Sequence, residues 1–188
     1  FNIAGGTHHA FSDRGEAFCL LNDQAIAAQY LINQKKCHKI LIVDLDVHQG
    51  NGTAEIFQNN ADVITFSMHG QSNYPFRKET SDYDIPLPDK TDDTTYLSIL
   101  QETLPELLNI HRPDFVFYLA GVDILGTDKL GKLGCTLEGC KTRDSYVLGL
   151  CKSLGIPVQV SMGGGYSPAI KTIIEAHANT YQVARRLY

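Results

Sequence analysis

The chain has 188 residues, 43% of them hydrophobic and 20% charged. That balance fits one folded domain and excludes a disordered or low-complexity chain. Sixteen basic against 21 acidic residues leave a net charge of −5, and without a Lys/Arg-rich run a general nucleic-acid binder is disfavoured.

The first residues, Phe1-Asn2-Ile3-Ala4-Gly5, lack the basic and apolar regions of a signal peptide and an initiator Met. A cut point within a longer chain is the expectation. The spacing predicts a helix over residues 21–35, with Ala25, Ala28, Leu31 and Ile32 on one side. Residues 39–47 (KILIVDLDV) read as the first strand. A short helix follows Gly52, and residues 62–68 (DVITFSM) form the next strand. Residues 70–94 read as a long polar loop containing Pro75, Pro86 and Pro88, of a length that is often functional. A helix follows over 94–110, which Pro105 can kink. Residues 114–120 (DFVFYLA) are a strand, and Thr136 caps a helix over 137–154. After a strand at 156–161, Ser167-Pro168 reads as cap and first residue of a helix ending near 187.

The strand segments are continuously apolar, as in strands covered on both faces. Their alternation with helices predicts an α/β domain with a mainly parallel sheet. No run of about 18 apolar residues is long enough to span a membrane. The five cysteines are odd in number and form no C-x-x-C pair, which disfavours a disulfide framework or zinc finger. Reduced thiols in a cytosolic or nuclear compartment fit better.

Ligands of open α/β sheets bind at the carboxyl ends of the strands. There the first strand reads Asp44-Leu45-Asp46-Val47-His48, and strand alternation would put Asp44, Asp46 and His48 on one side. Two carboxylates and an imidazole in a dry interior are costly unless a cation joins them. Asp46, His48 and Asp123, after the third strand, would form a metal site of two carboxylates and one imidazole, the open set of catalytic zinc. Alone, D-x-H can equally cap a strand. His8-His9 offers a base and an acid, or a surface loop. Glu16 competes for that work, though nothing in the spacing favours it. Gly163-Gly164-Gly165 would let the backbone pass close to the site and aim Tyr166 inward, where a hydroxyl can stabilise an oxyanion.

Together these residues resemble the histone deacetylase family, within the arginase/deacetylase fold. The matching segments are GGTHHAF (5–11), FCLLND (18–23), IVDLDVHQGNGT (42–53), FSMH (66–69), AGVDILGTDKLG (120–131) and GGGY (163–166). They keep the family's order over nearly the whole chain. Residues 73–88 look most like class IV-type deacetylases and their bacterial relatives. The resemblance implies a three-layer α/β/α domain and one zinc ion held by Asp46, His48 and Asp123. His9 would be the main general acid/base and His8 its electrostatic partner. Asp44 and Asn51 would orient the two histidines, and Tyr166 would bind the scissile carbonyl. Phe18, Tyr74, Phe76 and Leu130 would line an acyl-lysine channel. A monovalent-cation site, usually potassium, would involve Asp44, Ser67 and the backbones of Asp46, His48 and Met68. The implied substrate is an acylated lysine peptide or an acetylated small amine, with no direct contact to nucleic acid or membrane. The implied compartment is the cytoplasm, or the nucleus in a eukaryote.

Three departures stand out. Ala17 occupies the place where the family usually has Gly. The family's domain also carries a segment upstream of GGTHH, so residues 1–188 would be a C-terminal portion of it. An uncovered sheet edge would then favour homo-oligomers. Nothing resembles the tails that recruit chromatin partners. A binuclear arginase-like ureohydrolase needs a carboxylate two residues after His48, where Gly50 stands. A non-catalytic, truncated deacetylase-like module is the alternative from another class.

Overall fold

The computed structural model describes residues 1–188. Its elements are α1 (Asp23–Asn33), β1 (Ile40–Asp44), α2 (Asn51–Phe57), β2 (Val63–Gly70), β3 (Tyr83–Leu87), α3 (Asp93–His111), β4 (Phe115–Leu119), α4 (Leu137–Ser153), β5 (Val158–Ser161) and α5 (Ile170–Leu187). The five strands form one sheet in the order β3-β2-β1-β4-β5, and every pair is parallel. The central strand β1 is buried along its whole length. Its Leu41 and Val43 point into one core and its Ile40 and Ile42 into the other, as the two-residue period requires. The larger core packs residues of α3, α4 and α5 against the sheet, and the smaller takes Ala25 and Ala28 of α1 with Phe57 of α2. The result is the three-layer α/β/α arrangement.

Helix starts follow side-chain caps. Asn22, Asp92 and Thr136 accept from the backbone N–H groups of Ala25, Thr95 and Gly139. Pro105 sits inside α3 without ending it.

Three expectations need correction. The segment 70–94 is not all loop, because Tyr83–Leu87 forms β3. It pairs only with β2, so the missing N–H of Pro86 is tolerated at this edge. The last helix begins at Ile170, not at Ser167-Pro168. The Ser167 hydroxyl is instead 2.8 Å from that of Thr127. Finally, β1 ends at Asp44, so Asp46 and His48 lie beyond the strand.

Candidate metal centre

The turn after β1 is written in its own carboxylates. Asp44 Oδ1 accepts from the Asp46 N–H at 3.1 Å, and Asp46 Oδ1 accepts from the His48 N–H at 3.0 Å. Such side-chain-to-backbone bonds two residues on compete with the extended ladder. Asp44, Asp46 and His48 are therefore brought to one place by successive local turns, not by strand alternation.

Asp123 arrives from the end of β4. Its Oδ1 accepts from the Val47 N–H at 2.9 Å. His48 Nδ1 lies 3.0 Å from Asp46 Oδ1 and 3.2 Å from Asp123 Oδ2. Asp46, His48 and Asp123 each offer a ligand atom within 4.8 Å of the others, and all three are buried. The second oxygen of Asp123 has no hydrogen bond of acceptable geometry. That orphaned oxygen, with an O, N, O donor set, fits a divalent cation of the zinc type. Without a cation the charges are strained. Burial opposes a charged His48, yet the adjoining Asp123 and Asp46 carboxylates lift it to about 10. Burial and the neighbouring Asp46 carboxylate push Asp123 up to about 7.

The glycine loop closes one side of the site. Gly163 has φ +75° and packs on the Gly121 backbone, and a Cβ on Gly164 would collide with the Asp123 carboxylate. This close approach lets the Gly164 N–H donate to Asp46 Oδ2 at 2.8 Å. Tyr166 then reaches the cavity, its ring 6.0 Å from that of Phe18. Burial and the Asp46 and Asp123 charges raise its hydroxyl above the ordinary tyrosine value.

The adjacent histidines differ in their partners. His8 Nδ1 lies 2.6 Å from Asp44 Oδ2, and its Nε2 is 3.8 Å from Asp46. Burial opposes its charge, but Asp44 and Asp46 outweigh that and lift it to about 9. His9 Nδ1 is 2.7 Å from Asn51 Oδ1, a neutral amide. Burial and the nearby His8 push it down to about 3.

His8, His9, Asp46, His48, Asp123 and Tyr166 line a cavity of about 440 Å³. Phe18, Tyr74, Phe76 and Leu130 also line it. Phe18 is 79% exposed and Phe76 90% exposed, so these two form a rim more than a wall. Ser67 pairs in register with Asp44 on the neighbouring strand. Its hydroxyl, however, lies 3.0 Å from His69 Nδ1, and Met68 is fully buried in the larger core.

Four residues support the site through contacts that no sequence spacing reports. Glu16 accepts from Asn51 Nδ2 at 2.8 Å. Asp128 accepts from the Tyr166 N–H at 2.5 Å and from the Leu130 N–H at 2.8 Å. Asp23 accepts from the N–H groups of Gly6 and Thr7, just before the histidines. Arg143, fully buried, donates to the carbonyls of Gly121 at 2.6 Å and Leu45 at 3.2 Å. It thereby ties together the two strand ends that carry the acidic ligands. Neither the burial of Arg143 nor its partners are visible in the sequence, where an arginine in a helix is ordinary.

The histone deacetylase domain model matches residues 1–181. The chain belongs to the histone deacetylase family. An uncharacterised protein of Picosynechococcus is 48% identical over 187 residues, which cover all of this chain and 62% of that protein. Histone deacetylase RPD3 of Saccharomyces cerevisiae is 33% identical over 88% of this chain and 40% of its own length. The crystal structure of acetylpolyamine aminohydrolase from Burkholderia pseudomallei superposes with a TM-score of 0.79 at 28% identity, covering 98% of this chain and 54% of that one. The chain thus spans about 40–60% of the lengths of these relatives. No helix is long and apolar enough to cross a membrane.

Proposed function

We propose that residues 1–188 act as one catalytic unit of a zinc-dependent amidohydrolase that removes acetyl or longer acyl groups from lysine side chains or related amines. The observation that carries this reading is the convergence of the Asp46-His48-Asp123 cluster, the His8-His9 pair and Tyr166 on one cavity. Family membership supports it, as does the likeness to an acetylpolyamine aminohydrolase. Zinc held by Asp46, His48 and Asp123 would polarise the acyl carbonyl and acidify a water.

The side chains supply the rest. With Asn51 Oδ1 accepting at Nδ1, His9 carries its proton there and leaves Nε2 free as a base. It can take a proton from the attacking water and return it to the departing amine. His8, beside two carboxylates, keeps positive charge next to His9. Tyr166 stays protonated at working pH and can donate to the developing oxyanion. The apolar faces of Phe18 and Leu130 suit the methylene stem of an acyl-lysine. The products are a free amine and a carboxylate. Residues 73–88 favour a class IV-like member, and a potassium ion would be held by Asp44, Ser67 and nearby backbone carbonyls.

The test is turnover of an acyl-lysine peptide panel by His9→Ala and Tyr166→Phe. Each should lower kcat by about 10²-fold or more, the usual range for a general base or an oxyanion donor, with the melting transition retained. Near-normal turnover in both would overturn the mechanism.

A further inference from the structure

Behind His9 lies a second layer of polar contacts, of which the mechanism above uses only the Asn51–His9 bond. Asn51 faces two ways: its Oδ1 is 2.7 Å from His9 Nδ1, and its Nδ2 donates to Glu16 Oε1 at 2.8 Å. The same Glu16 oxygen accepts from the Tyr74 hydroxyl at 2.5 Å. The Tyr74 ring in turn stands edge-on to the His9 ring, centroids 5.0 Å apart. Glu16 is partly buried, with a side chain 29% exposed. It is held in a two-residue turn in which Glu16 and Cys19 exchange backbone hydrogen bonds at 2.9 Å each. Neither Glu16 nor Asn51 lines the cavity.

An asparagine amide can point either way, and its neighbours decide which. A carboxylate oxygen only accepts. At 2.8 Å it tolerates the amide NH₂ of Asn51 and rejects the amide oxygen. The Asn51 oxygen must then face His9. An acceptor at His9 Nδ1 requires the proton to sit on Nδ1, which leaves the Nε2 lone pair for the cavity. A flipped amide would present NH₂ to Nδ1 and favour the opposite tautomer, with a proton already on Nε2.

We propose that Glu16 is a positioning residue that fixes the amide orientation of Asn51 and, through it, the base-competent tautomer of His9. The proposal rests on the deacylase reading for its catalytic consequence, but its structural content is independent of it. Acceptor character at position 16 is the requirement, so Gln, which keeps one carbonyl oxygen, can replace Glu, whereas Met or Ala cannot.

The test uses the protein labelled with ¹⁵N-histidine, the His9 signal being assigned by its loss in His9→Ala. Long-range ¹H–¹⁵N correlation reads which ring nitrogen carries the proton. In the wild type, the Nδ1–H form should dominate. In Glu16→Met and Glu16→Ala, two apolar variants of different size, it should give way to a mixture or to the Nε2–H form. With an acyl-lysine peptide, kcat should fall about tenfold, part of what a general base contributes. KM should change less than about twofold, because Glu16 does not line the cavity. Glu16→Gln should restore both the tautomer and kcat. A wild-type tautomer in whichever apolar variant folds would overturn the proposal, as would a Gln variant as impaired as Met. A wild-type protein inactive on every acyl-lysine would overturn the deacylase reading alone, since the tautomer would still decide the role of Glu16.

Discussion

Asp123, on the floor of the cavity, is completely buried, while Phe76, at its mouth, is 90% exposed. The floor is a lattice of polar groups held by backbone: Val47 N–H on Asp123, Gly164 N–H on Asp46, and Arg143 on the carbonyls of Leu45 and Gly121. The mouth is apolar and built on tight turns. There Ala17 takes φ 50°, a conformation that L-residues avoid. A floor of this kind sits on strand ends and tolerates little change. A mouth of this kind can vary without disturbing the sheet.

Substitutions should divide along the same line, and three probe it in order of effect. Arg143→Met strikes the floor hardest. It leaves Asp144 buried with only the hydroxyls of Tyr118 and Thr180, and it frees two carbonyls. Removing one partner of a buried pair costs about 3–5 kcal/mol, so a large drop in the denaturant midpoint is expected. A midpoint near wild type would show that the floor is not held this way.

Asp23→Asn acts one step away, where Gly6 and Thr7 lead into the histidines. Burial pushes the Asp23 carboxyl up, but hydrogen bonds from Thr7 and Gly6 outweigh this and hold it below the usual 3.8. A depressed carboxylate stabilises the fold above its unfolded value, and the gain is lost as pH falls through the folded value. The variant should lose about 1–2 kcal/mol near neutrality, the scale of hydrogen bonds to a charged group at a partly buried site. The deficit should shrink once the pH drops below 3.8. Denaturation curves at pH 7 and pH 3 check it; an unchanged deficit at both would refute the account.

Ala17→Gly tests the mouth. Relief of the left-handed conformation should stabilise by about 1 kcal/mol, net of the glycine's extra freedom when unfolded. Calorimetry should show a slightly higher melting temperature. A lower one would mean that the turn carries no strain.

The sequence made the floor legible and the mouth's supports illegible. Short continuous apolar runs rich in Ile and Val, such as residues 40–43, read as buried strands, and the polar residues that follow them fall at the carboxyl edge of the sheet. β3 is hidden because Pro86 within Tyr83-Asp84-Ile85-Pro86-Leu87 argues against a strand, although an edge strand permits it. Ser167-Pro168 looked like a helix start, but Ser167 is engaged with Thr127 forty residues away in sequence. Glu16 reads from the sequence as a competing acid or base, not as a support for Asn51. Its partners lie 35 and 58 residues further along the chain, and no local spacing reports a contact of that range.

The proposed chemistry depends on Asp46, His48 and Asp123 holding one metal ion. Elemental mass spectrometry after zinc reconstitution and desalting tests it most directly. The account predicts one zinc per chain, lost in Asp123→Ala. Two metals per chain would point to a binuclear centre instead, and no metal, or zinc retained by Asp123→Ala, would contradict the site.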